Sequence, residues 1–213
     1  MLKQQTDYPW DGEVKLSIES SQPTEFDLHL RLPGWCQGAS YFDDLYHTAT
    51  GAPDNAPRLK LNGKRLEKPQ VVRGYAMLHR RWKTGDVLQV SLDMPVKRVK
   101  ANARVEADQG RVALMRGPIV YCFEGTDNGG AVQNLVLPPG LDFEPAYRNH
   151  LLGGVTVLKA NGLAVFRTAA KDVATRPFAL TAIPYYLNAN RGTSPMQVWM
   201  PETQENCKPL NQE

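Results

Sequence analysis

Apolar and polar residues alternate with a period of two over most of this chain, and three Pro-Gly-aromatic phrases interrupt the alternation. Val14, Leu16 and Ile18 are interleaved with Glu13, Lys15, Ser17 and Glu19. Phe26, Leu28, Leu30 and Leu32 are interleaved with Asp27, His29 and Arg31. Leu88, Val90, Leu92 and Met94 alternate with Gln89, Ser91 and Asp93. That period belongs to strands with one face on a core and one in water. No run of the ~12 residues expected of a helix shows a period near 3.6. The phrases are Tyr8-Pro9-Trp10-Asp11-Gly12, Arg31-Leu32-Pro33-Gly34-Trp35-Cys36 and Arg116-Gly117-Pro118-Ile119-Val120-Tyr121-Cys122. Each sets proline and glycine beside a large aromatic, which fixes a backbone corner and packs a ring against it. Such corners serve where a strand leaves one sheet and enters another.

The pattern divides the chain. Residues 20–24, with Pro23, are read as the turn of a hairpin between the first two alternating runs. Residues 37–57 lose the period and are read as a long surface excursion, with one helical turn expected over 42–46. Asn62-Gly63 is a strong signal for a tight hairpin. Tyr75 to Trp82 reads as a strand, Thr84-Gly85-Asp86 as a turn, and Pro95 as a strand end. A boundary is placed in the basic, loosely patterned segment 96–110. Beyond it, Arg111 to Met115 and Ile119 to Glu124 flank a Gly-Pro corner, and Asn161-Gly162 is expected to turn a second hairpin. Residues 178–186 and 196–200 close the pattern, and the tail after Pro201 reads as frayed. The fold class is all-β, two-layered, with two antiparallel β-sandwich, jelly-roll-like subdomains in tandem.

At 213 residues, either one large or two smaller β domains can bury a core, and 42% apolar with 22% charged residues is ordinary for a globular protein. A net charge of +3 is a weak excess. Its basic clusters, Arg58/Lys60/Lys64/Arg65 and Lys97/Arg98/Lys100/Arg104, lack the interleaved aromatics of a nucleic-acid groove and read as solvated strand faces. No apolar run reaches the ~18 residues of a membrane helix. Residues 1–5 have no apolar core after Lys3, so no signal peptide is read here, and the compartment, cytoplasmic or periplasmic, is left open. Three cysteines, Cys36, Cys122 and Cys207, are widely spaced. Free or buried thiols are expected, with one bridge as the alternative, and this favours a reducing compartment.

Catalytic groups are sparse. Asp43-Asp44 is the one adjacent acidic pair and reads as a solvated loop rather than as half of a glycosidase pair. His29, His47, His79 and His150 share no ligand spacing. Cys122 and Glu124 are two apart on a strand, so they project to one face where a metal could sit. The apolar run around them favours a packed thiol instead. No nucleophile elbow or phosphate-cradling glycine loop is present. No catalytic, cofactor or metal residue is therefore assigned. The tryptophans mostly read as core or corner braces. Trp82, after Arg80-Arg81 and before a turn, is taken as the exposed one, and Trp82 with Tyr75 are the candidate carbohydrate contacts.

Read in order, several phrases resemble glycoside hydrolase family 127, the β-L-arabinofuranosidases. They are residues 5–12, 26–36, Leu61-Asn62-Gly63, Gly74-Tyr75, Arg81-Trp82-Lys83-Thr84-Gly85-Asp86, Leu92-Asp93-Met94 and 116–122. Ala182-Ile183-Pro184-Tyr185-Tyr186, Asn190-Arg191-Gly192 and Met196-Gln197-Val198-Trp199 complete the set. Asn188 departs from the pattern, standing where relatives often carry tryptophan. The resemblance implies an active site on a separate N-terminal barrel of paired helices. There a nucleophilic cysteine belongs to a zinc site of one glutamate and three cysteines, with a Glu-x-Cys step and a Cys-Cys pair. No Cys-Cys pair occurs here, and Cys122-Phe123-Glu124 has the reverse order, so no catalytic role carries over.

The family pattern further implies that the second sandwich is inserted before the last strands of the first. The expected division is thus a first sandwich over 1–99, completed by strands from 194–202, a second over 100–193, and a flexible tail over 203–213. The function expected is that of the non-catalytic β portion of a glycoside hydrolase acting on L-arabinofuranosides. It would brace a catalytic helical barrel, in cis or in trans, or form a homodimer, with no cofactor, nucleic acid or membrane. A stand-alone module binding a plant-type glycan is the alternative, and hydrolysis by this chain itself a distant third.

Overall fold

A computed structural model describes residues 1–36, 44–49, 56–67 and 69–211. In chain order the strands are β1 (Leu2–Thr6), β2 (Glu13–Ile18), β3 (Thr24–Arg31), β4 (Tyr46–Thr48), β5 (Arg58–Leu61), β6 (Lys64–Arg65), β7 (Gln70–Val72), β8 (Tyr75–Trp82) and β9 (Val87–Ser91). There follow β10 (Val96–Ala101), β11 (Arg111–Arg116), β12 (Ile119–Glu124), β13 (Leu135–Val136), β14 (Glu144–Arg148) and β15 (Val155–Arg167). The last are β16 (Val173–Pro184), β17 (Met196–Gln197), β18 (Met200–Pro201) and β19 (Leu210–Asn211). Short 3-10 turns are the only helical elements among the described residues. The chain is all-β, as its period-two patterning requires, and divides into two compact units: 1–41 with 53–95, and 42–52 with 96–213.

The first unit is a sandwich. One sheet has the order β1-β2-β9-β5-β6 and the other β3-β8-β7, all antiparallel. Leu16, Leu59, Leu88, Val90 and Leu92 of the first sheet meet Leu32, Trp35, Cys36 and Ala76 in one core. β2 and β3 do not form the expected hairpin. They lie in different sheets, and residues 20–24 carry the chain across, held by Ser20 N–H to Thr84 Oγ1 (2.8 Å) and Thr84 Oγ1–H to the Ser20 carbonyl (2.7 Å). β1, which has no apolar alternation, pairs with β2 along its whole length and is exposed throughout.

The Pro-Gly-aromatic phrases act as corners here. The Tyr8–Pro9 bond is cis, and Gly12 passes so near Leu92 that a Cβ would sit 1.8 Å from its carbonyl oxygen. The Trp35 indole donates to Tyr8 Oη at 3.3 Å, which joins the first corner to the second. Asn62 (φ 51°) and Gly63 (φ 80°) make the expected tight turn between β5 and β6.

The second unit is one hydrogen-bonded network with the order β13-β15-β16-β12-β11-β10-β4, on which β14, β17, β18 and β19 add as branches. Its spine is the long pair β15/β16. Asn161-Gly162 is not a turn. It lies mid-strand, where a Cβ on Gly162 would meet Leu180 Cδ1 at 2.4 Å and the Val136 carbonyl at 2.9 Å. Glycine is used there for close approach rather than for chain reversal.

Three other expectations are corrected. Residues 196–201 do not return to the first sandwich: β17 pairs with β12 and β18 with β11. The tail after 202 is not frayed, since β19 adds parallel to β15 and Lys208 N–H donates to the Gln133 carbonyl at 2.9 Å. Arg98 is not on a solvated face. It donates to the carbonyls of Leu137 (2.8 Å) and Leu141 (3.3 Å) and to Glu202 (3.1 Å), which Lys100 also meets at 2.8 Å. The excursion contributes β4, paired to β10 in the second unit; of the helical turn expected over 42–46, residues 42 and 43 lie outside the described residues, and 44–46 are a turn running into β4.

Candidate functional site

Strand parity decides the fate of the two candidate sugar contacts. On β8, Ala76, Leu78, Arg80 and Trp82 share one face and Tyr75, Met77, His79 and Arg81 the other. Trp82 is therefore in phase with core residues, and it is fully buried rather than exposed. Its indole N–H donates to the Phe26 carbonyl at 3.1 Å, Phe26 stacks on it with centroids 5.7 Å apart, and the Arg80 guanidinium covers it at 5.2 Å. Tyr75 is 41% exposed and points the opposite way, so the pair cannot make one platform.

Tyr75 belongs instead to an apolar ridge at one end of the three-stranded sheet. It pairs with Val72 on the edge strand β7 and with Arg31 on β3. Val72, 42% exposed, shares the face of Tyr75, while Val71, 46% exposed, is opposite Ala76 on the other face. The Arg31 guanidinium lies 5.3 Å from the Tyr75 ring centre and donates to the Gly74 carbonyl at 3.1 Å. Arg31 also borders a hollow of about 370 Å³ lined by Leu2, Tyr8, Leu28, Leu30 and Pro33 among others. Leu28 and Leu30, opposite Leu78 and Ala76, put that hollow on the core side of the sheet, whereas Val72 and Tyr75 share the outer side.

The thiols and acids do not converge. Cys122 is fully buried. Burial first, then the Glu124 and Asp127 charges, push its thiol up to about 12, far from a thiolate at neutral pH. Burial likewise holds the half-buried Cys207 up at about 11. Cys36 is buried with its thiol 2.9 Å from the Pro33 carbonyl. Cys36, Cys122 and Cys207 are all free thiols. Glu124, only 1% exposed, is held by Arg191 at 2.7 Å and by the Ala189 amide at 2.7 Å. Arg191 also grips Asp127, and this hydrogen bond leads the causes that raise its pKa. Asn128 completes the knot, donating to the carbonyls of Glu124 (2.8 Å) and Thr181 (2.9 Å) and accepting from the Thr181 amide (3.0 Å). Parity does put Cys122 and Glu124 on one face, but the carboxylate is spent on anchoring the loop that follows β16. That knot was not foreseen. Its signal was Asn190-Arg191-Gly192, a charged residue between two turn formers.

Asp43 lies outside the described residues, and Asp44 forms an ion pair with Arg104. His79 is set between Asp27 and Glu25 on the neighbouring strand, at 3.0 Å from Glu25 Oε1. Among the described residues no three His, Cys, Asp or Glu side chains are placed to hold a metal ion. No helix there is long and apolar enough to cross a membrane.

Comparison with known proteins accounts for nearly the whole chain. Residues 1–94 match the family model described as "Beta-L-arabinofuranosidase, GH127 middle domain", and 96–201 the "Glycoside hydrolase family 127 C-terminal domain". A non-reducing end β-L-arabinofuranosidase of Bifidobacterium longum subsp. longum is 33% identical over 93% of this chain and 30% of its own length. A solved GH127 β-arabinofuranosidase superposes with a TM-score of 0.92 at 38% identity, over 98% of this chain and 32% of that one. A GH127 β-L-arabinofuranosidase from Geobacillus stearothermophilus T6 gives 0.81 at 37%, over 95% and 30%. The chain thus spans about a third of the length of these relatives.

Proposed function

Because this chain belongs to glycoside hydrolase family 127, of which it carries the middle and C-terminal domains, we propose that it is the non-catalytic β portion of an arabinofuranoside hydrolase. Its task is to brace the domain that performs hydrolysis, on the same polypeptide or a separate one. The observation that carries this reading is the match itself: the two family models together match nearly the whole chain, which spans about a third of the relatives. The chemistry is consistent with it. A retaining or inverting hydrolysis needs two opposed groups with free lone pairs, whereas Cys122 is a buried neutral thiol and Glu124 is committed to Arg191.

The apolar ridge of Val72 and Tyr75 is the contact surface we assign to the brace. Against a stand-alone sugar module stands the burial of Trp82, which removes the larger of its two stacking rings. The purified chain is assayed with an aryl β-L-arabinofuranoside, with and without zinc. No turnover is expected. Turnover that disappears in Cys122→Ser would overturn the assignment.

A further inference from the structure

A second concavity, of about 510 Å³, opens in the second unit and is lined by Asp127, Arg148, His150, Val157, Lys159 and Thr181, with Asn149 and Leu151 on its rim. That volume falls in the ~300–1,000 Å³ range of small-molecule sites. Its floor is fixed. Val157 is buried, and Lys159 stands directly opposite Thr181 in the β15/β16 register. Asp127 is held by Arg191 at 2.8 Å, a guanidinium it shares with Glu124, so its position is set. Arg148, Asn149 and His150 come from the turn after β14. The Gly154 amide closes that turn on the Leu151 carbonyl at 2.8 Å, and a Cβ on Gly154 would strike Tyr147 Oη at 2.4 Å.

The concavity gathers three basic side chains. Arg58, Arg98, Arg104 and Arg191 each meet a carboxylate. Arg148, His150 and Lys159 have no such partner among the described residues. Glu144 is opposite Lys159 in the β14/β15 register but does not pair with it, and with Asp142 it lines a separate hollow beyond that lysine. Unpaired donors converging on a fixed floor favour a ligand that accepts hydrogen bonds and carries negative charge. The β14/β15 register sets Arg148, opposite Val155, four residues along β15 from Lys159, so the guanidinium and the ammonium flank the Val157 floor and a carboxylate between them meets both.

We propose that this concavity binds the carboxylate of an acidic saccharide, Arg148 and Lys159 holding the carboxylate and Asp127, Asn149 and Thr181 the hydroxyls. The saccharide part rests on the family reading above; the anionic part rests on the geometry alone. The test is calorimetric titration of the full chain, at low ionic strength, with an oligogalacturonate, a neutral arabino-oligosaccharide of equal length, and inorganic phosphate. Saturable binding of the oligogalacturonate alone is expected, weakened at least ~10-fold, about 1.4 kcal/mol, in both Arg148→Ala and Lys159→Ala. Both side chains are exposed, so circular dichroism should show the variants folded. Absence of saturation, equal binding of the neutral sugar, phosphate bound as tightly as the uronate, or undiminished binding in the variants would each overturn the proposal. None of these outcomes bears on whether the chain braces a hydrolytic domain, because neither that surface nor that activity enters the measurement.

Discussion

Asp86 ties two turns of the first unit together. Its side chain is 1% exposed, accepts from Asn62 Nδ2 at 2.8 Å and from the Lys83 amide at 3.0 Å, and lies 3.7 Å from Arg80. Asn62 in turn accepts from the Val87 amide at 2.8 Å, so one carboxylate and one amide tie the Asn62-Gly63 turn to the Thr84-Gly85-Asp86 turn. Burial pushes the Asp86 pKa up. The hydrogen bonds from Asn62 and Lys83 and the Arg80 charge outweigh it, and the net shift is downward. A carboxylate held below its unfolded value contributes stability that is present above that value and lost as pH falls through the folded one. Asp86→Ala should therefore cost about 3 kcal/mol near neutrality, by leaving buried donors unpaired. In urea titrations at successive pH values, the gap to the parent should close below pH 3.8.

His79 behaves in the opposite sense. Hydrogen bonds to Asp27 and then Glu25 raise its pKa. Its contribution is complete below the unfolded value of 6.5 and disappears as pH rises through the folded one. His79→Gln should thus lower the melting temperature slightly at pH 5.5 and leave it unchanged at pH 8.5, the effect being small because the ring is exposed.

At the scale of elements, two Asn-Gly pairs show what a sequence can and cannot convey. Gly63 has φ +80° and open space around it; Gly162 has ordinary strand torsions and no room. Gly63→Ala should cost about 1 kcal/mol through backbone conformation, and Gly162→Ala about 2 kcal/mol through overpacking against Leu180 and Val136. Equal costs in chemical denaturation would contradict the distinction. Dipeptide chemistry reports a local preference, and only the partner strands decided that β15 would run on. Several strands were legible: β8 begins and ends at the residues read from the sequence, whereas β10, β13 and β14 were not read as strands. Two further features were not legible. β1 buries nothing and so shows no period, and the path of residues 20–24 between sheets depends on distant Thr84. Trp82 could have been placed by parity with Ala76 and Leu78, since that rule needs only the strand's phase. Of the Glu124–Arg191 knot only the charged turn Asn190-Arg191-Gly192 was legible, because the carboxylate it meets is 67 residues away.

At the scale of the molecule, the two units correspond to the two family domains, with one exchange: β4, from the excursion of the first domain's sequence, is paired in the second unit. Their side-chain chemistry is spent on holding corners, turns and loops in place, which is what a brace requires. The central claim is that this portion works by supporting a hydrolytic domain, and a chimera tests it. This chain replaces the matching region of the Geobacillus stearothermophilus relative, and hydrolysis of an aryl β-L-arabinofuranoside is followed alongside calorimetric melting. The account predicts an active chimera that melts in one transition, with activity and melting temperature both reduced by Val72→Asp with Tyr75→Asp on the ridge. An inactive chimera with two independent transitions, or one indifferent to those substitutions, would contradict it.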